Sequence, residues 1–470
     1  MDYKNVTLFE AYDNKFLRNI WDDTINEQIE SIGEHEKNNK NEINPELFFF
    51  FSQSIENNTI EIIQQQLSEF VTLSIYISKQ YFPEFHESNL HLKLINFLDC
   101  PNKSISSCAA QSLCNLLSNP KIDKYANDLL GVGLLQKIDF HFEKQNYDEL
   151  IYYYIIMVLN IAAISPYQCF QIFDVIPLKR FQFLAQSNLI DEGSHNMVLR
   201  LIMVFSYQIH KYPGESNLTT ELIELIHSIF SDFIESRKKR KRILQISSIL
   251  SCCPDFFTII PNDSSFSQIL SILNENNEEL LPFVLYILTN LVKYTNNNIL
   301  QCIPRIIELF DCPYDSVIKG ICNFLYAHLN KYSHEYPEDT RKQICEIILN
   351  SFNSHNLGNK ILFAQLFIIL LNSLQQQTLL EINLDRIFSL LVSIIEINDY
   401  PTIYNTLALI DSMFQKLLNI REFSDIKEIF VKEGGLDALN EIQNDSTLSN
   451  CSDISNAISL FVNQYFCDFQ

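Results

Sequence analysis

The stretch Ser106–Leu116, SSCAAQSLCNL, decides the fold, because a related stretch, IYYYIIMVLNI, follows it at Ile151–Ile161. Each stretch is an apolar segment of helix length that ends in Asn and an aliphatic residue, and the two asparagines, Asn115 and Asn160, are 45 residues apart. Further apolar helices closed by small polar residues recur near Phe205, Ser248 and Asn290, at intervals of 45, 43 and 42 residues. A fixed period in the low forties predicts a stack of helical repeats.

The length and composition agree with a repeat array. At 470 residues the chain exceeds the usual size of one compact core, 47% of it is hydrophobic, and it has only 9 Gly and 14 Pro. Apolar residues recur at three- and four-residue steps, which is the helical spacing. We therefore predict an all-α fold, a right-handed superhelical solenoid of the armadillo/HEAT type with about ten repeats. Residues 1–44 are predicted to be an acidic leader, 45–470 the solenoid, and 425–470 its terminal capping repeat.

The charge balance bears on the class of partner. The chain has 34 basic and 57 acidic residues, a formal net charge of −23. A nucleic-acid-binding protein needs a positive face to neutralise phosphates, so direct nucleic-acid binding is not expected. The charge favours basic partners, although acidity also serves simply to keep a long solenoid soluble.

The sequence contains no pattern that indicates catalysis, a cofactor or a bound metal. It lacks the glycine-rich phosphate-binding loops, the HExxH zinc motif and the GxSxG nucleophile motif, and its 12 cysteines have no zinc spacing. No apolar run is long enough to span a bilayer, and the first 20 residues do not form a signal peptide. We expect a soluble intracellular protein without enzymatic activity or a cofactor, whose cysteines are reduced core thiols.

Residues 1–44 hold the only Trp, Trp21, within an approximately four-residue apolar spacing. This spacing predicts one amphipathic helix. Such a helix either shields the open face of the first repeat, as terminal repeats require, or binds a partner.

The last repeat carries a resemblance to a known family. Residues 433–444 read EGGLDALNEIQN and residues 458–466 read ISLFVNQYF. This GGLD, IQN and QYF combination resembles the final armadillo repeat of importin-alpha. We expect the two glycines to form a tight joint between helices, and Leu436 to close the end of the core.

The resemblance implies a nuclear transport adaptor that binds basic nuclear-localisation peptides in a concave groove and works in the cytoplasm and nucleus. In this family, asparagines on the third helix of each repeat hold the peptide backbone, and tryptophans four residues earlier hold its lysines. By this likeness the peptide-binding residues would be Asn115, Asn160, Tyr286, Asn290 and Asn323. A beta-type importin is the family's carrier, which binds a densely basic N-terminal segment. The basic residues of 1–44 are never adjacent: Lys4, Lys15, Arg18, Lys37 and Lys40.

The sequence departs from the family at the tryptophan positions. Gln111, Ile156 and Lys319 stand four residues before three of the asparagines, and only Tyr286 is aromatic at that offset. The alternative function is an armadillo scaffold whose groove no longer binds localisation signals. The asparagines would then form hydrogen bonds within the solenoid instead.

A basic run interrupts the acidic chain: Arg237, Lys238, Lys239, Arg240, Lys241 and Arg242. It is similar to a localisation signal and could also contact a phosphate-bearing partner. The other interpretation is a solvated junction between two helices, with its cations near a helix C-terminus.

Overall fold

The fold is taken from a computed structural model of the whole chain. The structure describes residues 16–20, 43–56, 58–77, 79–118, 123–144, 150–211, 216–237, 239–259, 264–296, 299–354, 356–397, 400–417, 423–444 and 452–466. All regular secondary structure in these ranges is helical. The chain divides into two compact units, Met1–Gln268 and Ile269–Gln470, and the division falls within one helix, Ser264–Leu273.

The helices of the first unit range from 4 to 19 residues. They are α1 (Glu46–Ser54), α2 (Ile60–Ser74), α3 (Phe82–Glu87), α4 (Leu90–Phe97), α5 (Lys103–Leu117), α6 (Asp123–Gly131), α7 (Leu134–Glu143), α8 (Leu150–Ile164), α9 (Pro166–Val175), α10 (Leu178–Gln186), α11 (Glu192–His210), α12 (Ser216–Ile234), α13 (Arg240–Leu250) and α14 (Phe256–Ile259), followed by α15 (Ser264–Leu273) at the division. A 3₁₀ turn, Lys79–Tyr81, precedes α3.

The second unit continues the pattern. Its helices are α16 (Leu281–Tyr294), α17 (Ile303–Glu308), α18 (Asp315–Tyr332), α19 (Glu338–Ser351), α20 (Leu357–Ser373), α21 (Gln376–Glu381), α22 (Leu384–Ile395), α23 (Tyr400–Leu417), α24 (Phe423–Lys432), α25 (Gly435–Asn444) and α26 (Ser452–Tyr465). Four 3₁₀ turns lie between them: Leu300–Cys302, Leu309–Asp311, Ser333–Glu335 and Phe352–Ser354.

Each unit is organised around a row of helices that pack side by side, which we call the stacked helices. In the first unit they are α2, α5, α8, α11 and α13, and in the second α16, α18, α20, α23 and α26. The shorter helices cover them in a second layer, as α4 covers α5 and α22 covers α23. This is an all-α solenoid arrangement, and it confirms the predicted fold class. The number of stacked helices agrees with about ten repeats.

Local sequence explains where the stacked helices begin. Asn102 is the N-cap of α5, and its side-chain oxygen accepts hydrogen bonds from the backbone N–H groups of Ser104 and Ile105. Asp191 and Asn356 cap α11 and α20 in the same way. Such caps satisfy amides that have no partner inside the helix.

The terminal repeat has the joint that the sequence predicts. Gly434 has φ +84°, in the left-handed region, between α24 and α25. A Cβ placed on Gly435 would lie 2.3 Å from the ring of Phe430, so no larger residue fits there. Leu436 is only half-buried, however, and the core at this point is formed by Leu439 and Ile442 instead.

The leader is described only in part. Residues 16–20 are helical, and Leu17 and Ile20 are buried, with 4% and 3% of their surface exposed. Trp21 lies outside the described residues, so the choice between a capping helix and a partner-binding helix stays open.

Candidate functional site

The side chain of Asn115, a predicted site residue, forms hydrogen bonds within the solenoid. It lies near the C-terminal end of α5, and its Nδ2 donates to the carbonyl oxygen of Val71, 3.1 Å away, and to Ser74 Oγ, 3.0 Å away. Both acceptors belong to the last turn of α2, the preceding stacked helix. The last carbonyl groups of a helix have no partner inside it, and Asn115 satisfies one of them.

Asn160 repeats this arrangement on the next stacked helix. Its side chain is 5% exposed, and Nδ2 donates to Ser118 Oγ, 2.9 Å away, at the end of α5. One repeat further on, Gln208 donates to the carbonyl oxygens of Ala162 and Ala163 at 3.2 and 3.3 Å. A polar side chain on each of α5, α8 and α11 therefore binds the end of the preceding stacked helix.

The second unit uses lysine in the same position. Lys331 Nζ on α18 donates to the carbonyl oxygens of Val292 and Thr295, at 3.0 and 2.5 Å, and Lys416 Nζ on α23 donates to that of Asn372 at 2.9 Å. We call these contacts of both units the inter-repeat hydrogen bonds. Gln208, Lys331 and Lys416 were not among the residues that the sequence singled out. Their signal is a polar residue near the end of each long helix, whether or not it is Asn.

The three predicted site residues of the second unit are buried. Tyr286, Asn290 and Asn323 are each 1% exposed. A Cβ on Gly320 of α18 would lie 2.9 Å from Leu285 Cδ1 of α16, which shows how closely the two helices approach. In this conformation a ligand cannot contact these three side chains.

Asn323 differs from Asn115 and Asn160 in its hydrogen bonding. Within the described part of the chain, neither its Nδ2 nor its Oδ1 has a hydrogen-bond partner. It lies eight positions before Lys331 on α18, so it does not occupy the register position of Asn115. The 33-residue interval from Asn290 to Asn323 therefore joins two positions that are not equivalent.

The predicted residues fall into two groups, one in each unit. Asn115 and Asn160 lie on neighbouring stacked helices of the first unit, whereas Tyr286, Asn290 and Asn323 belong to α16 and α18 of the second. Each group is thus placed within its own unit.

Two stacked helices of the first unit, α5 and α8, have partly exposed side chains, which we call the exposed stripe. On α5 these are Ser107, Cys108, Gln111 and Asn115, and on α8 they are Tyr152, Tyr153 and Ile156. They recur at the three- and four-residue steps of one helix face. Tyr152 and Tyr153 are in edge-to-face contact, with ring centroids 5.9 Å apart. The sequence drew attention to Gln111 and Ile156, but only as places where tryptophan is missing, and the two tyrosines were not predicted.

Residues of the basic run contact residues that are close to them in the sequence. Arg240 Nε donates to the carbonyl oxygen of Ile234, the last residue of α12, and Lys239 Nζ lies 4.6 Å from the ring centroid of Phe233. Arg242 Nη1 donates to Gln245 Oε1, 3.1 Å away. These contacts favour the helix-junction interpretation. Arg237 and Lys241 are exposed, whereas Lys238 lies outside the described residues.

Burial is the main cause of the pKa shifts of the ionisable groups near this run. Burial lowers the pKa of His195, and the charge of Lys239 lowers it further. The pKa of Lys239 is itself lowered by burial. Both groups therefore bind a proton less tightly than they would in water.

The cysteines for which the structure gives a state are unpaired thiols. Half of them are core residues, and the other half are only partly buried: Cys100, Cys108, Cys252, Cys253 and Cys312. Burial raises the pKa of Cys114, Cys169, Cys322 and Cys345, and it raises that of Cys253 to about 11. Thiols with raised pKa values are poor nucleophiles at neutral pH. The described residues include no group of three or more His, Cys, Asp or Glu that could hold a metal ion. Nor does any described helix combine the length and apolar character needed to cross a membrane.

These features define a class: an all-α helical-repeat protein whose repeats are joined by polar side chains at helix ends. A crystal structure of an engineered protein from the Northeast Structural Genomics Consortium is similar to 90% of this chain and 98% of its own, with a TM-score of 0.65 and 11% identity. A second engineered protein from the same consortium covers 54% of this chain, with a TM-score of 0.44 and 12% identity. The first likeness supports the fold alone. No family model and no curated protein matches the chain.

Proposed function

We propose that this chain is a protein-binding scaffold of the armadillo type, which holds a peptide segment across the exposed stripe of its first unit. The observation that carries the proposal is the stripe itself, a set of partly exposed aromatic, aliphatic and amide side chains on α5 and α8, two helices that pack against each other. Such a surface offers apolar contacts for side chains and the amide group of Gln111 for a peptide backbone.

The inter-repeat hydrogen bonds support this proposal over a groove in which asparagines clamp a peptide. Asn115 and Asn160 already donate to α2 and to the end of α5, so their Nδ2 groups serve the solenoid. These hydrogen bonds also join neighbouring stacked helices and so make the row more rigid. Rigid scaffolds bind with a smaller loss of conformational entropy.

The second candidate is a nuclear transport adaptor similar to importin-alpha, binding basic localisation peptides and cycling between cytoplasm and nucleus. The net charge of −23 favours it, because long-range attraction raises the encounter rate with basic segments. The glycine joint at Gly434 and Gly435 is consistent with the resemblance of the last repeat. Recruitment of a beta-type importin belongs to this candidate alone.

Fluorescence anisotropy with two peptide sets tests both candidates. The first set is a labelled Lys/Arg-rich localisation peptide, and the second consists of ligands selected from an unbiased peptide library. The informative variant is Tyr153→Ala on the stripe, and the matched control is Tyr167→Ala, because Tyr167 on α9 is 64% exposed and lies outside the stripe.

Library ligands that lose about three- to tenfold in affinity in Tyr153→Ala, and none in Tyr167→Ala, would support the scaffold. The same pattern with the basic peptide would support the adaptor. If the peptides fail to bind, or if both variants weaken them equally, the stripe is not the binding surface.

A further inference from the structure

A cavity of about 340 Å³ lies in the first unit, away from the exposed stripe. Its wall comes from the turn before α5, the first turns of α5 and α8, and the end of α7. None of the seven residues of the exposed stripe lines it. The volume falls within the range of small-molecule sites, about 300–1,000 Å³.

Among the described residues, the one carboxylate that lines the cavity belongs to Asp99, and it already has partners. Asp99 forms an ion pair with Lys137, and its Oδ1 lies 3.1 Å from His141 Nε2. Burial by itself raises the pKa of Asp99, but the hydrogen bonds and charges of Lys137 and His141 lower it below its usual value. Asp99 therefore stays ionised, and its charge is offset by its own partners.

Two further lysines line the cavity. Lys103 and Lys144 are both exposed, and among the described residues neither has a carboxylate partner. Lys144 Nζ lies 3.9 Å from the ring centroid of Phe140, which also lines the cavity. In the described part of the chain, the cavity thus has two lysines without an acidic partner, although the net charge of the protein is −23.

Helix direction adds to this positive character. Both α5 and α8 have 15 residues, and residues of their first turns line the cavity. Helix N-termini carry a partial positive charge, which favours an anion by a modest amount. At α5 this is the effect of the helix dipole, since the N–H groups of Ser104 and Ile105 already donate to Asn102. This contribution reinforces that of the two lysines.

Part of the remaining wall is apolar and aromatic. Phe140, Ile151 and Tyr154 face the cavity, and the ring of Tyr154 stacks on that of His141, with centroids 4.8 Å apart. A ligand that fits such a wall has a flat or aliphatic stem next to its charged group.

We propose that this cavity binds a phosphate monoester on an aromatic or aliphatic stem, with Lys103 and Lys144 pairing with the phosphate. A dianion uses both lysines, whereas a carboxylate of the same stem has a single negative charge to share between them. The site is independent of the proposed peptide-binding function.

Isothermal titration calorimetry of the full chain tests the proposal with four probes: phenyl phosphate, phenylacetate, inorganic phosphate and a short phosphotyrosine peptide. The variants are Lys103→Ala and Lys144→Ala, and the matched control is Lys179→Ala, because Lys179 is an exposed lysine on α10, away from the cavity. Circular dichroism checks that each variant is folded.

We expect phenyl phosphate to bind more tightly than phenylacetate, and each cavity variant to weaken it by about tenfold. The Lys179→Ala variant should bind as the native chain does. Tighter binding of the phosphopeptide would identify a modified partner as the source of the phosphate, and equal binding of phenyl phosphate would identify a free ligand.

The Asp99→Asn variant should change the affinity for phenyl phosphate in the opposite direction. It removes the negative charge from the cavity and releases Lys137 and His141 from their ion pairs, so phenyl phosphate should bind more tightly than to the native chain. Absence of phosphate binding, or an equal loss in Lys179→Ala, would overturn the proposal. Tighter binding of phenylacetate than of phenyl phosphate would do so as well.

Discussion

At the scale of single residues, the same amide side chain has opposite roles on two stacked helices. Asn115 donates to two acceptors at the end of α2, whereas Asn323 is 1% exposed with neither amide atom bonded among the described residues. A buried hydrogen bond contributes about 1 kcal/mol, while a buried polar group without a partner costs about 1–3 kcal/mol. Replacing the two asparagines should therefore change stability in opposite directions.

The first prediction compares Asn323→Leu with Asn115→Leu, since leucine has the branching of asparagine without its polar atoms, although it is larger. We expect Asn323→Leu to leave the free energy of unfolding unchanged or to raise it by about 1 kcal/mol, and Asn115→Leu to lower it by about 1–2 kcal/mol. Urea unfolding followed by circular dichroism measures both. Equal destabilisation by the two substitutions would show that Asn323 has a partner in solution.

A buried histidine gives the second prediction, on pH. His328 is fully buried, its Nδ1 lies 2.9 Å from the hydroxyl oxygen of Tyr336, and its ring packs against Phe324 and Tyr332. Burial lowers the pKa of His328 to about 4. In the unfolded chain it titrates near 6.5, so between these values the unfolded state binds the proton. Its contribution to stability is complete above about pH 6.5 and is lost as the pH falls towards 4.

We expect the native chain to lose about 1 kcal/mol more stability than His328→Phe between pH 7.5 and pH 5.5. The quantity to compare is the pH dependence of the free energy of unfolding from urea melts, since the absolute stabilities of the two chains also differ through the lost contact with Tyr336. The variant serves as the control for the other histidines, which it retains. Parallel pH profiles would mean that His328 titrates normally.

At the scale of elements, the joint between α24 and α25 shows why two adjacent glycines are needed. Gly434 supplies a left-handed φ of +84°, and Gly435 leaves space for the Phe430 ring. That ring cannot easily move, because it packs against Phe388, Phe414, Phe461 and Phe466. Glycine is therefore needed at position 434 for its backbone conformation and at position 435 because a larger residue would overlap the ring.

The third prediction separates the two reasons. Gly434→Ala should cost about 1–2 kcal/mol from left-handed strain, and Gly435→Ala about 3 kcal/mol from overlap with a packed ring. Gly131→Ala is the control, since a Cβ there meets nothing within 4 Å and alanine favours a helix. Thermal and urea unfolding rank the three variants. A Gly435→Ala chain as stable as Gly434→Ala would contradict the packing argument.

Elements and their period could be predicted from sequence because helical spacing and glycine joints are local properties. The pairs Asn115–Asn160 and Gly434–Gly435 located repeats correctly for this reason. What Asn115 binds depends on the end of α2, more than 40 residues earlier in the chain. Lys331 shows the limit most clearly, because its ammonium group can donate to any carbonyl oxygen, and the approach of α18 to α16 selects those of Val292 and Thr295.

At the scale of the whole molecule, the excess of acidic residues opposes folding. The net charge is −23, and the described ion pairs, such as those of Arg180 with Asp139 and Glu143, involve partly exposed side chains. Exposed pairs contribute about 0–1 kcal/mol each, and salt weakens them. Repulsion among the unpaired acids is weakened by the same salt, so the balance between the two sets the sign of the salt dependence.

The fourth prediction is that added salt stabilises this protein. Raising NaCl from 10 to 150 mM shortens the Debye length from about 30 Å to about 8 Å, which removes repulsion between distant acids but only part of the attraction within close pairs. The Tm should therefore rise by about 1–3 °C. KCl should give the same increase, since screening depends on ionic strength. A Tm that falls with both salts would show that ion pairs outweigh the net repulsion. The affinity for phenyl phosphate should fall over the same range, because the attraction of Lys103 and Lys144 for the ligand is screened while the fold becomes more stable.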